Sequence, residues 1–219
     1  MGRLKNVLFT EDGLRRIGSS AFENCNLEIL SLPDTLEYIG NYAFDAGLKT
    51  KDLILPAHLS TIGNGAFYYC FNLETVCFGP ELRSIGVQAF YSCSKLKELY
   101  YPDGLVTIGS DCFYNCEALT SVHLPETLES LGGSAFGCCS SLTAINLPCS
   151  LACPDKNPFP GCKNLKEIIL ADDHPSMSLK GNALLSAVGK RLIAISKIIR
   201  GCTFTSVGVP LLTSSIAIR

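Results

Sequence analysis

The chain has 219 residues, 47% hydrophobic and 17% charged, and its 18 basic and 20 acidic side chains leave a formal charge of −2. The two signs are spread along the chain, so no continuous positive stripe exists to neutralise phosphates, which argues against nucleic acid as the main partner. No apolar run is long enough for a membrane span, since Lys190, Arg191, Lys197 and Arg200 interrupt the most apolar region, and no signal peptide is visible.

From the N-terminus onward, apolar "LxxLxL" segments begin at Leu4, Leu27, Thr50, Leu73, Leu96, Leu119, Leu142 and Leu165, at a constant interval of 23 residues. Runs such as "LETVCF" and "LTSVHL" alternate apolar and variable residues, which predicts a half-buried strand in each repeat. Proline, which cannot donate to a ladder, closes the strand at Pro33, Pro56, Pro102, Pro125 and Pro148, with Pro80 shifted by one. Each strand is followed by a second motif, of which "IGNGAFYYC" (62–70) is one copy. That copy opens like a phosphate-cradling G-x-G-x-x-G loop, but its sixth position is Tyr68. It also recurs as "IGSSAFENC", "IGVQAFYSC" and "IGSDCFYNC", which a single active site does not require.

The phenylalanines of this motif are Phe22, Phe44, Phe67, Phe90, Phe113, Phe136 and Phe159, with one step of 22 and the rest of 23. Apolar spacings of three and four predict a short helical or 3₁₀ turn on the side opposite the strands. Burying a large apolar side chain stabilises by about 1.5–3 kcal/mol, whereas fixing one residue's backbone costs about 1–2 kcal/mol. A turn of 23 residues with about six large anchors therefore does not fold alone. The reading is a leucine-rich solenoid of α/β type, with one parallel β-sheet and stability supplied by stacking. Nine strands at about 4.8 Å spacing predict a rod on the order of 40 Å long.

The organisation is one domain: regular repeats over 1–171, a β-hairpin insertion over 172–203 and a truncated last repeat over 204–219. Inside the insertion, "NALLS" and "RLIAIS" read as strands joined around Gly189 and Lys190. A further strand, "FTSVGVP", begins at Phe204. Neither end shows the polar cap a solenoid needs, so a fragment of a longer protein is expected, and uncapped ends allow end-to-end self-association.

Chemistry finds little support. Cys25, Cys70, Cys93, Cys116, Cys139 and Cys162 each lie three residues after the repeat phenylalanine, and Cys112 replaces an alanine, so these seven read as small buried packing residues. Cys138, Cys149 and Cys153 are off pattern, but their spacing is not a zinc spacing and no metal or cofactor is expected. His58, His123 and His174 fall in different turns, and no nucleophile elbow or H-E-x-x-H helix is present, so no catalytic residue is assigned.

What varies is the outward face of the strands. Its candidates for partner binding are Asp52, Ile54, Cys77, Glu98, Tyr100, His123 and Asn146, an apolar and aromatic centre with a polar margin. Ordinary sheet-surface packing is the competing reading. Tyr68, Tyr91 and Tyr114, each directly after the repeat phenylalanine, form a second and weaker candidate, an aromatic column widened by Tyr69 and Phe71. Shielding of the stack edge is the alternative there.

The repeat "LxxLxLPxxLxxIGxxAFxxC" resembles that of the BspA-like, treponemal-type leucine-rich repeats, in seven turns covering nearly the whole chain. Asp172 to Ser196, "DDHPSMSLKGNALLSAVGKRLIAIS", is similar to the hairpin island that interrupts such repeats. The resemblance implies a cell-surface or secreted protein, often bacterial and sometimes from a parasitic protist, that attaches to host matrix proteins or host cells. The expected role is a non-catalytic protein-interaction module within an adhesin; the alternative is a structural spacer with no ligand of its own.

Overall fold

The computed structural model describes residues 5–9, 13–181, 183–186 and 191–195. They wind into a parallel β-solenoid of about seven turns. One side is built from β1 (Asn6–Leu8), β3 (Ile29–Ser31), β5 (Asp52–Ile54), β7 (Thr75–Cys77), β9 (Glu98–Tyr100), β11 (Ser121–Val122), β13 (Ala144–Leu147) and β14 (Glu167–Leu170). These pair in parallel as three patches, β1-β3, β5-β7-β9 and β11-β13-β14, rather than as one unbroken sheet. Leu53, Val76, Val122, Ile145 and Ile168 point inward and are buried.

The expectation of a single sheet is also corrected on the far side. There, β2 (Arg16–Ile17), β4 (Tyr38–Ile39), β6 (Thr61–Ile62), β8 (Ser84–Ile85), β10 (Thr107–Ile108) and β12 (Ser130–Leu131) form a continuous six-stranded parallel sheet. Each strand is the two residues before the motif glycine, too short for any alternation to reveal. The glycine itself answers to architecture. A Cβ on Gly109 would lie 2.5 Å from Val87 N and 2.6 Å from Gly86 C, so adjacent turns approach too closely for a side chain.

No α- or 3₁₀-helix occurs among the described residues, which overturns the expected helical turn after this strand. Two residues per arc adopt left-handed φ instead, among them Tyr42 and Ala46, Gln88 and Ser92, and Asp111 and Asn115. A helix keeps every residue right-handed; alternating hands aim successive amides in different directions. Phe44, Phe67, Phe90 and Phe113 N–H groups donate to the carbonyls of Ala66, Ala89, Cys112 and Ala135 in the following turn at 2.7–2.8 Å. Amides between them close tight turns, as Cys93 N–H does on Phe90 O at 3.3 Å. The inward spacing is the same in both conformations, so the sequence identifies the buried residues without distinguishing the bonding.

The core is a spine of stacked rings. Phe22, Phe44, Phe67, Phe90, Phe113, Phe136 and Phe159 follow one another at centroid distances of 5.0–6.3 Å with nearly parallel planes. Beside it, the thiols of Cys70, Cys93, Cys116, Cys139 and Cys162 donate to the carbonyls of Phe44, Phe67, Phe90, Phe113 and Phe136 at 2.9–3.4 Å. The cysteine ladder is thus a hydrogen-bonded element of the stack, with every described cysteine free.

After β14 comes a three-stranded antiparallel sheet, β15 (Met177–Lys180), β16 (Ala183–Ser186) and β17 (Leu192–Ile195). Two of its strands match the sequence reading; β15, turned by Gly181 at φ 55°, was not foreseen. The expected strand at Phe204 lies outside the described residues. His174 fastens the segment that leads into this sheet: its buried Nε2 donates to Pro148 O at 3.0 Å, while Nδ1 accepts Ser176 N–H at 3.2 Å.

A cap also appears where none was recognised. In regular turns the motif glycine donates to the preceding turn, as Gly132 N–H does to Ile108 O at 2.9 Å. Pro154 stands one period after Leu131, and its carbonyl receives Arg191 Nη2 at 2.6 Å while Asp155 O receives Nη1 at 2.8 Å. The guanidinium of a residue 37 positions away supplies donors where a further turn's backbone would. Such a long-range cap leaves no local signature.

Candidate functional site

The strand face is built by period-2 alternation: Leu53, Val76 and Leu99 turn inward, so their neighbours face solvent. Register places Ile54, Cys77 and Tyr100 side by side in one row, with Asp52, Thr75 and Glu98 in the row beside it. Ile54 is 75% and Tyr100 55% exposed, while Cys77 is half-buried between them. Tyr100 Oη donates to Glu98 Oε2 at 2.6 Å, which fixes the ring over its own strand and raises the phenol's pKa. Burial, then the nearby Asp52 and Glu98 carboxylates, pushes the Cys77 thiol upward, so it rests as a neutral apolar contact.

Five of the seven predicted face residues therefore share one sheet, and two do not. His123 is exposed just beyond the end of β11, outside the ladder that holds Tyr100. Asn146 lies in β13, where its Oδ1 accepts Leu124 N–H at 2.7 Å and its Nδ2 donates to Leu124 O at 3.0 Å. Its carboxamide completes the pairing that the two-residue β11 leaves open. Both ends of this group are engaged by the backbone, which favours a structural role over recognition.

On the flank preceding the strands, charges pair from turn to turn. Lys5 meets Glu28 at 3.0 Å, and Glu74 takes both Lys97 at 2.8 Å and Lys51 at 3.3 Å. Hydrogen bonds from Lys97 and Lys51 hold the Glu74 carboxyl below its ordinary range. On the flank following the strands, an open groove of about 400 Å³ lies at the β13–β14 end. Leu147, Ile169 and Leu170 line it together with Glu126, Asp172 and Asp173.

The aromatic column on the arc side does come together. Tyr68 stacks on Tyr91 at 4.8 Å and Tyr91 on Tyr114 at 5.1 Å, and Tyr69 and Phe71 extend it through a stacked pair at 5.3 Å. Tyr42 joins edge-on to Tyr68 at 6.3 Å. It was missed because it precedes its repeat phenylalanine by two, whereas the others follow theirs by one. The rings of the column present their faces to each other, leaving mainly edges for a ligand. Tyr114 Oη accepts the Cys138 thiol at 3.1 Å.

The off-pattern cysteines separate. Cys138 lies against Tyr114, Cys153 Sγ accepts Arg191 Nη2 at 3.0 Å, and Cys149 is exposed. His58 pairs with Glu81 at 3.0 Å, far along the stack from buried His174. Among the described residues no group of three or more His, Cys, Asp or Glu side chains is placed to hold a metal, and no helix is long and apolar enough to cross a membrane.

Comparison with known proteins agrees with this geometry. The chain is similar to a leucine-rich repeat protein from Bacteroides ovatus, at 31% identity over 71% of this chain and 46% of that one, with a TM-score of 0.54. It is also similar to the T. pallidum leucine rich repeat protein, at 27% identity over 75% of this chain and 67% of that one, with a TM-score of 0.53. The chain thus spans about half the length of the Bacteroides protein. No curated protein matches it. The sequence pattern of the BspA type leucine rich repeat region matches in six copies, over residues 2–116 and 83–184. The chain belongs to the BspA type leucine rich repeat family.

Proposed function

We propose that the chain is a non-catalytic protein-interaction module whose strand face binds a protein partner, within a cell-surface or secreted adhesin. One observation carries the reading. Inward strand positions are buried or partly buried and chemically alike, whereas the outward row holds Ile54, Cys77 and Tyr100 in contiguous register, with two of the three largely exposed. Exposed large apolar and aromatic side chains grouped at the middle of a rigid sheet have the character of an interface centre. Carboxylates at Asp52 and Glu98 give that centre a polar border. The surface or secreted location, and a matrix or host-cell protein as partner, follow the family resemblance.

The test is surface plasmon resonance of the folded chain against a panel of extracellular-matrix proteins, beside the variant Ile54→Ser, Tyr100→Ala, His123→Ala. Binding by the parent and its loss in a variant with an unchanged urea midpoint supports the reading. Equal binding by both moves the interface off the strand face, and no binding by the folded parent favours the spacer.

A further inference from the structure

The carboxylates that follow the strands form a column along one rim of the strand face. Asp34, Glu81, Asp103, Glu126, Asp172 and Asp173 lie at five of seven strand ends, those of 55–58 and 147–150 having none, and all six are exposed. The strand-end stretches 32–35, 55–58, 78–81, 101–104, 124–127, 147–150 and 170–173 contain no Lys or Arg. Of the six carboxylates only Glu81 has an ion-pair partner among the described residues, His58; Arg83 approaches this rim but donates to Gly104 O at 2.7 Å. The opposite flank differs, since Lys5, Lys51 and Lys97 are matched there by Glu28 and Glu74. Adjacent turns are about 4.8 Å apart, so like charges stacked along the rim repel one another. A partner that supplies positive charge relieves that repulsion.

The rim ends at the open groove. Glu126 and Asp172 stand two turns apart in the column with Cys149 between them, and Asp173 lies next to Asp172. The groove's floor is apolar, with Leu147 and Leu170 buried and Ile169 half-buried. Its far wall is fixed in place, because His174 donates to Pro148 O and Ser176 Oγ donates to Leu151 O at 2.9 Å. Lys and Arg join a long apolar stem to a charged head, and an apolar floor under a carboxylate rim suits both parts.

We infer that the strand face recognises a cationic segment of a protein partner, with a Lys or Arg side chain of that partner seated in the groove, its stem on Leu147, Ile169 and Leu170 and its head among Glu126, Asp172 and Asp173. This rests on the reading of the strand face as a protein-binding surface and names the charge of what it binds. Long-range attraction of this kind governs encounter rate and selectivity and weakens with salt.

The experiment uses the whole chain and three octapeptides that alternate alanine with lysine, glutamate or serine, titrated by fluorescence anisotropy at low and at physiological salt. The lysine peptide is expected to bind, the other two are not, and added salt should weaken binding several-fold. The variant Glu126→Gln, Asp172→Asn, Asp173→Asn should bind the lysine peptide about tenfold more weakly. A variant with the same change in net charge on the arc side, Glu23→Gln, Asp45→Asn, Asp111→Asn, should bind as the parent does. Equal loss in both variants, no loss in either, or equal binding of the glutamate peptide overturns the inference. If a matrix protein binds the parent, is lost from the strand-face variant and is retained by the rim variant, the charge assignment fails while the strand-face reading stands.

Discussion

Two exposed faces of this rod carry aromatic and apolar side chains, and they differ in what those side chains touch. On the arc side Tyr68, Tyr91 and Tyr114 stack ring on ring, so the column is bound to itself and tightens the turns. On the strand side Ile54 and Tyr100 project from the backbone ladder and leave most of their surface to solvent. Exposure alone does not mark a recognition surface. An apolar side chain whose best partner is the next turn contributes to stability, and one with no such partner is available to another molecule.

Substitutions sharpen the contrast, beginning in the core both faces share. Replacing Phe113, buried and stacked between Phe90 and Phe136, with alanine should destabilise by about 3–5 kcal/mol through an unfilled site, read from urea unfolding followed by circular dichroism. A small change would mean that the spine is not what holds the turns together.

Alkaline pH should unravel the same core. Burial pushes the thiols of Cys70, Cys93, Cys112 and Cys116 above the ordinary value of 9.0, Cys70 to about 12. The folded state therefore holds these protons more tightly than the unfolded one. Their contribution is fully present below pH 9.0 and is lost as pH rises toward the folded values, at about 1.4 kcal/mol per thiol per pH unit. The urea midpoint should fall steeply between pH 9 and 10, and less steeply when Cys93 and Cys116 are replaced by alanine.

Arc and strand faces should then separate. Tyr91→Ala removes the middle of the self-stacked column and should cost about 1–2 kcal/mol of stability, whereas Ile54→Ser should stay within about 0.5 kcal/mol. Thermal melts of the two variants side by side decide this, and equal losses would erase the distinction between the faces. An effect of the opposite sign is expected at Tyr101, whose hydroxyl is buried without a hydrogen-bond partner among the described residues. Tyr101→Phe removes that unsatisfied group and should leave stability unchanged or raise it by about 1 kcal/mol.

Much of this architecture is legible in the sequence because the solenoid repeats its inward contacts at every turn. Phe22 to Phe159, the cysteine ladder and the strand interiors follow from spacing alone, as does the division between buried and variable positions. Backbone conformation is less legible: left-handed residues at Tyr42, Gln88, Asp111 and Ser134 share no side-chain type, so the arc looks helical in sequence and is laddered in space. Contacts outside the period are invisible for a different reason. Arg191 reaching Pro154, Asn146 bridging Leu124 and His174 holding Pro148 each join residues that no local pattern connects. The acidic rim is readable only once the strand ends are known to be stacked.

The most direct measurement of the central claim is hydrogen exchange of the chain alone and in the presence of a protein partner identified by surface plasmon resonance. Slowed exchange confined to 52–54, 75–77, 98–100 and the groove at 170–173 is the expected result. Slowed exchange at 68–71, 91 and 114, with the strands unchanged, would place recognition on the aromatic column and contradict the account.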